Sequence, residues 1–164
     1  MKRVDEVGRK APGADGRERK ELLLYVEDDI ENWEVARLRL GHTYEIVWAK
    51  TDLEACRIVK ERSPELVAIL MDIELQGSQM DGIQLTRLFK GKTTASDGLP
   101  FFAKEIKTIS APILFVTAYT SRYEESVLKA AGGDKVIRKP VDFSELMLAL
   151  TSLHLSRIVK HAPK

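Results

Sequence analysis

The chain has 164 residues, 44% hydrophobic and 31% charged, which suits one water-soluble domain with a buried core. Its formal charge of +1 gives no reason to expect nucleic acid, and no apolar run approaches the roughly 18 residues of a membrane span. The single cysteine excludes an internal disulfide, and residues 1–20 lack a secretory apolar core, so we expect a cytoplasmic protein without membrane contact.

Residues 1–20 are strongly charged and contain three glycines and one proline, so they have little apolar surface to bury. We expect them to form a flexible, charged tail. A disordered leader or vector remnant explains this segment more simply than a docking segment for an acidic partner.

The first apolar run, Leu22 to Val26, predicts a buried strand that ends in three consecutive acids, Glu27, Asp28 and Asp29. A helix is expected to follow, and acids at a helix start can simply complement its dipole. A second carboxylate near them would instead provide the oxygen ligands that Mg²⁺ prefers.

Tyr44 to Ala49 predicts a second strand, and Thr51-Asp52 begins a helix that Ser63-Pro64 ends. The six apolar residues Leu66 to Met71 predict a third strand, buried on both faces, which leads directly into Asp72. Strands and helices that alternate at this spacing predict a doubly wound parallel α/β sheet with right-handed crossovers. Asp72 would then lie at the strand's carboxyl end, where ligand sites of open α/β sheets form.

The second half of the chain continues this alternation less regularly. We expect a loop over 73–81, a helix over 82–89, a connection over 90–110, strands over 112–116 and 135–138 with a helix over 121–131 between them, and a last amphipathic helix. The connection over 90–110 is long for a compact α/β unit. We predict one domain over residues 21–158 and a basic C-terminal end over 159–164.

Polar residues stand at the carboxyl ends of four of the five predicted strands, namely Glu27 and Asp28, Asp72, Thr117 and Lys139. In one open sheet these ends meet at a single edge. A carboxylate that attacks phosphorus needs a divalent ion, a hydroxyl donor and a fixed cation. Asp28 and Asp72, with Glu27 as a further candidate, would hold Mg²⁺. Asp72 would attack, Thr117 would donate to a phosphoryl oxygen and Lys139 would pair with the phosphoryl group.

The ordered motifs at these strand ends resemble those of response-regulator receiver domains over roughly residues 21–155. The resemblance rests on Val26-Glu27-Asp28, Met71-Asp72, Met80-Asp81-Gly82, Val116-Thr117-Ala118 and Lys139-Pro140. It implies a flavodoxin-like fold with five parallel strands in the order 2-1-3-4-5 and a cis peptide bond before Pro140. It also implies a Mg²⁺ site made by Glu27, Asp28, Asp72 and the backbone carbonyl of Glu74.

The same resemblance implies a function. Asp72 would accept a phosphoryl group from the phosphohistidine of a sensor histidine kinase or a histidine phosphotransfer protein. The domain would catalyse only its own phosphorylation and slow dephosphorylation. It would signal to a downstream protein, or to a second copy, through the last two helices and the fifth strand. Kinase choice would depend mainly on the first helix, around Asn32, Val35, Ala36 and Arg39. A stand-alone regulator and a fragment of a longer protein would share this pattern.

Three departures from the family pattern bear on that function. The loop over 73–81 is longer than usual and lacks the customary proline, and residues 90–110 resemble an insertion whose Pro100-Phe101-Phe102 segment could cover a surface or bind a partner. Val136 occupies a position where many receivers have an aromatic switch residue. A constitutive interaction module that is not phosphorylated therefore stays an alternative, although the full acidic pair, Thr117 and Lys139 oppose it.

Two side chains near the acceptor, Glu74 and Tyr119, are expected to influence hydrolysis of the phosphoaspartate. A free-standing aspartate phosphatase fits less well, because its general acid would be a second Asp at the position of Glu74. A flavodoxin fits poorly as well, because Glu27-Asp28-Asp29 would repel the phosphate of a flavin.

Overall fold

The computed structural model describes residues 19–118 and 122–160. Its strands are β1 (Glu21–Val26), β2 (Tyr44–Ala49), β3 (Leu66–Met71), β4 (Ile113–Thr117) and β5 (Lys135–Arg138). Its α-helices are α1 (Ile30–Leu40), α2 (Asp52–Arg62), α3 (Gly82–Phe89), α4 (Glu125–Ala131) and α5 (Phe143–Lys160). Short 3₁₀ helices cover Ser63–Glu65, Ala95–Asp97 and Phe101–Ala103.

The five strands form one parallel sheet in the order β2-β1-β3-β4-β5. This confirms the predicted doubly wound fold and its strand order. Val26 at the end of β1 is in register with Met71 at the end of β3, and Met71 is in register with Phe115 of β4. The residues that follow β1 and β3 therefore leave the sheet side by side.

The sheet separates two apolar clusters, because side chains alternate between the two faces of a strand. In β1, Leu22, Leu24 and Val26 pack in a cluster with residues of α2, α3 and α4. Leu23 and Tyr25 face the other way and pack with residues of α1 and α5. Both faces of the central strands are thus covered, and only the strand ends can bear polar groups that reach solvent.

Segment 90–110 packs partly against the first cluster. Ala103 and Ile109 are buried, and Phe102 is half-buried against the same cluster. The neighbouring Phe101 exposes 87% of its surface. The two phenylalanines therefore differ in role, since one covers core residues and the other faces solvent.

Some boundaries differ from those predicted. α4 begins at Glu125 instead of 121, because Glu124 has an extended backbone, and α5 continues to Lys160.

Cys56 is buried as expected, and burial raises the pKa of its thiol to about 12, which leaves it unreactive.

Parts of three predictions lie outside the described residues. These are the tail up to residue 18, the C-terminal end after Lys160, and Tyr119. None of the helices in the described part of the chain combines the length and apolar composition needed to cross a bilayer.

Candidate functional site

The polar residues predicted to meet at one edge of the sheet do so. Glu27 directly follows β1, Asp72 follows β3, Thr117 ends β4 and Lys139 follows β5. Glu27, Asp72 and Thr117 are buried, and the Lys139 side chain is 15% exposed. Four separate strands therefore end at this edge of the sheet, and there the Lys139 side chain contacts both Glu27 and Asp72.

Asp72 is held by donors on both carboxylate oxygens. The Ile73 N–H donates to Oδ1 at 2.7 Å, and Nζ of Lys139 donates to Oδ2 at 2.8 Å. Burial raises the pKa of Asp72 to about 6, against the opposing effect of Lys139. The carboxylate is therefore mostly ionised at neutral pH, as a nucleophile must be, yet it is poorly solvated.

Lys139 lies between two carboxylates. Its Nζ atom is 2.7 Å from Oε2 of Glu27 and 2.8 Å from Oδ2 of Asp72. Burial by itself lowers the pKa of this ammonium group, but hydrogen bonds to Asp72 and Glu27 outweigh that effect and raise it. The lysine is thus a fixed cation within reach of any group that becomes attached to Asp72.

Glu27 is completely buried, and three donors satisfy its carboxylate. Oε2 accepts from the Tyr25 hydroxyl at 2.9 Å and from Lys139, and Oε1 accepts from the Asp29 N–H at 3.1 Å. The indole N–H of Trp48 donates to the Glu27 backbone carbonyl at 2.7 Å. Both the side chain and the backbone of Glu27 are therefore fixed.

The three consecutive acids have different roles. Asp29 caps α1, because its side chain accepts from the Asn32 N–H at 2.9 Å. Asp28 is half-buried, and its Oδ2 accepts from the Gln76 N–H at 3.1 Å. This bond ties the end of β1 to the loop that follows Asp72.

Glu27, Asp28 and Asp72 have the arrangement of a metal site. One carboxylate oxygen from each residue lies within 4.8 Å of the others. Three oxygen donors beside a single lysine leave an excess of negative charge, which a hard cation such as Mg²⁺ fits. The contact shown for Glu74 is an ion pair of its side chain with Arg122 at 3.0 Å, so a role for its carbonyl stays a prediction.

The end of β4 is joined to the end of β5. Thr117 is fully buried, and its carbonyl accepts from the Lys139 N–H at 3.0 Å. The peptide bond between Lys139 and Pro140 is cis, as expected. Val136, where an aromatic is usual, is half-buried against the first cluster.

Gly82 is required by a close approach to Asp72. A Cβ atom on Gly82 would lie 1.9 Å from the Asp72 carbonyl oxygen, and the Gly82 N–H donates to the Ile73 carbonyl at 2.8 Å. The α3 start thus packs directly on the backbone of the acceptor. This contact explains the glycine of the Met80-Asp81-Gly82 motif.

The part that Asp52 plays in this site is not predicted by the sequence pattern. Asp52 is 3% exposed, and its Oδ2 accepts from the N–H groups of Gln79 at 3.0 Å and Met80 at 2.9 Å. Its own N–H donates to Oγ of Ser78 at 3.0 Å. One carboxylate at the start of α2 therefore holds the second half of the long loop beside Asp72.

The first helix only partly matches the expectation for kinase choice. Val35 and Arg39 are exposed and Asn32 is half-buried. Ala36 is 3% exposed and packs beneath the helix, so its predicted contact with a kinase is wrong. Leu38, which the prediction omitted, exposes 64% of its surface.

Comparison with known proteins agrees with this geometry. The response regulator receiver domain family matches residues 23–151. The transcriptional regulatory protein ZraR of Klebsiella oxytoca is 34% identical over 133 residues, which cover 79% of this chain and 25% of ZraR. The polar-differentiation response regulator DivK of Brucella ovis is 27% identical over 131 residues, which cover 79% of this chain and 93% of DivK.

A solved structure shows the same fold. The receiver domain of the Francisella response regulator 1452 has a TM-score of 0.66 at 17% identity, over 84% of this chain and 99% of that chain. The chain thus spans a quarter of ZraR but nearly all of DivK and of this receiver domain. Because the family match covers most of the chain, the chain belongs to the response regulator receiver domain family of two-component signalling.

Proposed function

We propose that this chain is a phosphoacceptor of a two-component phosphorelay and that Asp72 receives the phosphoryl group. The observation that carries the proposal is the contact of Lys139 with both Asp72 and Glu27, beside an acidic cluster that also includes Asp28. A nucleophile, a candidate metal site and a fixed cation are thereby within hydrogen-bond reach of one another.

The proposed reaction is a transfer from a phosphohistidine. One carboxylate oxygen of Asp72 forms a bond to phosphorus while the bond between phosphorus and the imidazole nitrogen breaks, and the imidazole keeps that electron pair. Lys139 pairs with a phosphoryl oxygen, and the Thr117 hydroxyl donates to another. Mg²⁺ held by Glu27, Asp28 and Asp72, together with the Glu74 carbonyl, would neutralise charge on the carboxylates and the phosphoryl group.

The domain itself would only become phosphorylated and slowly lose the group again, without turning over another substrate. The donor would be a sensor histidine kinase or a histidine phosphotransfer protein, with the exposed residues of α1 as the contact. A cytoplasmic location is part of this proposal.

The output would be a change of surface around α4, β5 and α5. A phosphoryl group adds about −1.5 to −2 charge next to Lys139 and Thr117, enough to reorganise both. All the exposed residues of α5 from Leu148 to Val159 are uncharged, and Leu148 and Val159 expose 73% and 75% of their surfaces. Such a face suits a downstream protein or a second copy of the chain.

A constitutive interaction module is the second candidate. Val136 favours it, because no aromatic stands at this position to rotate when Thr117 moves. Such a module would use the same α5 face without being phosphorylated.

The deciding experiment is the intact mass of the protein with Mg²⁺ and acetyl phosphate, next to Asp72→Asn and a sample with EDTA. We expect an adduct of about 80 Da that needs Mg²⁺ and is absent from the variant. An adduct that persists in Asp72→Asn would place the phosphoryl group on another residue. If neither acetyl phosphate nor a cognate kinase gave an adduct, the interaction module would be the better description.

A further inference from the structure

Tyr25 lies on β1, two residues before Glu27, and its hydroxyl contacts the carboxylate of that candidate metal ligand. Residues two apart in an extended segment point to the same face, so the side chains of Tyr25 and Glu27 lie on one side of the sheet. The ring of Tyr25 is 2% exposed and packs with α1 and α5. At the edge of this apolar cluster, its hydroxyl donates a hydrogen bond to Oε2 of Glu27 at 2.9 Å.

The same carboxylate oxygen has two donors, Tyr25 and Lys139. Lys139 is shared with Asp72, so a phosphoryl group on Asp72 would draw it away from Glu27. Tyr25 has no such alternative, because its ring is enclosed in the core. The tyrosine is therefore the side-chain donor that stays with Glu27 when the lysine moves.

We propose that Tyr25 is a positioning residue of the phosphoacceptor site, whose hydroxyl fixes the orientation of the Glu27 carboxylate toward the metal. The inference rests on the proposed Mg²⁺-dependent function and adds to it a residue outside the acidic cluster. Burial and the nearby Glu27 raise the pKa of Tyr25, so the phenol remains a neutral donor throughout the physiological range. Without this donor, Oε2 of Glu27 would depend on Lys139 alone, which it shares with Asp72, and only the Asp29 N–H on Oε1 would hold the carboxylate independently of that lysine.

The test is the Mg²⁺ affinity of Tyr25→Phe without any phosphodonor. Tryptophan emission can follow the titration, because the indole N–H of Trp48 bonds to the Glu27 carbonyl, and calorimetry gives a second measure. We expect the dissociation constant for Mg²⁺ to rise about fivefold to tenfold, since a hydrogen bond to a buried charged acceptor is lost. At saturating Mg²⁺ the phosphorylation rate should stay within about twofold, because the groups around phosphorus are unchanged.

Tyr44→Phe is the matched control. Tyr44 is buried in the same cluster but begins β2, at the opposite edge of the sheet from the site. Tyr44→Phe should therefore leave Mg²⁺ affinity unchanged. An equal loss of affinity in both variants, or none in Tyr25→Phe, would overturn the inference.

A double variant tests whether Tyr25 acts through Glu27. In a Glu27→Ala background, Tyr25→Phe should cause no additional loss of Mg²⁺ affinity, whereas a general packing defect would add to the loss.

A measurement on the unmodified protein avoids any folding defect. The ¹³Cζ resonance of Tyr25 should shift with Mg²⁺ at the same midpoint as the tryptophan emission, and an unresponsive resonance would overturn the inference.

The wild-type protein separates this inference from the proposed function. If the wild type binds Mg²⁺ and is phosphorylated but Tyr25→Phe behaves identically, only the role of Tyr25 is wrong. If the wild type neither binds Mg²⁺ nor forms an adduct, the proposed function and the inference fail together.

Discussion

Nζ of Lys139 lies 2.8 Å from Oδ2 of Asp72, although 67 positions separate the two residues in the chain. The same Nζ atom contacts Glu27, so one cation serves two buried carboxylates. Such an arrangement is costly to disrupt, because either carboxylate would then be left buried without its charged partner.

Replacing Lys139 with Met should therefore destabilise the fold at neutral pH. We expect the free energy of unfolding to fall by about 3 kcal/mol, since the loss of one partner leaves uncompensated buried charge. Urea denaturation at pH 7.5 measures this change. Lys135→Met is the control, because Lys135 is exposed at the start of β5, the strand that Lys139 follows, and should change stability little. Equal stabilities of the two variants would show that the buried contact contributes nothing.

The pH dependence of stability should carry the signature of Asp72. Because burial raises its pKa from 3.8 to about 6, the folded state holds the proton more tightly than the unfolded state does. The contribution of this group to stability therefore falls as pH rises from about 4 to about 6. Asp72→Asn mimics the protonated form, so it should match the wild type near pH 4 and exceed it by about 2–3 kcal/mol at pH 7.5.

Mg²⁺ provides the control for this pH prediction. A ligand that binds only the folded state stabilises it, so Mg²⁺ should raise the stability of the wild type at pH 7.5. Mg²⁺ should stabilise the Asp72→Asn variant less than the wild type, because the charged carboxylate that would bind the ion is replaced by a neutral amide. A stability difference between the two proteins that does not vary with pH would contradict the assignment.

Much of this site follows from local sequence pattern. The apolar run before Asp72 and the acids after Val26 predict two buried strands with carboxylates at their ends, and parallel pairing brings those ends together. The order of all five strands came from the resemblance to receivers, since hydrophobic pattern alone does not specify which strands are neighbours. The two-residue period of a strand places Tyr25 and Glu27 on the same face, but neither that period nor the composition predicts the hydrogen bond between them.

Other features depend on contacts that no local pattern encodes. Asp52 at a helix start predicts only a helix terminus, because its partners Gln79 and Met80 lie 27 and 28 positions away. The predicted start of α4 at residue 121 is too early, because no local sequence pattern marks the extended backbone of Glu124 that precedes the helix. Ala36 lies on the inner face of α1, which spacing relative to Trp33 and Leu40 could have shown.

Asp52 yields a prediction about the loop beside the acceptor. In Asp52→Asn, one carboxylate oxygen becomes an NH₂ group, which cannot accept from the loop amides and from the Leu53 N–H together. We expect a loss of about 1–3 kcal/mol of stability, the cost of an unsatisfied buried donor. Hydrogen exchange of the Gln79 and Met80 amides should become faster.

Glu61→Gln is the matched control for Asp52. Glu61 is an exposed acid on the same helix, so its replacement should leave both stability and loop exchange unchanged. If the amides of Gln79 and Met80 exchange equally slowly in Asp52→Asn, the loop does not depend on this carboxylate.

The ion pair between Glu74 and Arg122 leads to a prediction about the lifetime of the phosphoaspartate. The pair joins the loop after Asp72 to the segment after β4, and its two atoms are 3.0 Å apart. Both side chains are substantially exposed, so the contact is worth no more than about 1 kcal/mol. Removing it with Arg122→Gln should admit water more readily and speed dephosphorylation by up to about fivefold.

The measurement is the decay of the phosphoryl adduct in intact-mass spectra, with excess donor removed. Glu74→Asn should speed the decay similarly, and Lys129→Gln, an exposed change on α4, should not. Unchanged decay in both Arg122→Gln and Glu74→Asn would mean that this pair has no part in controlling hydrolysis.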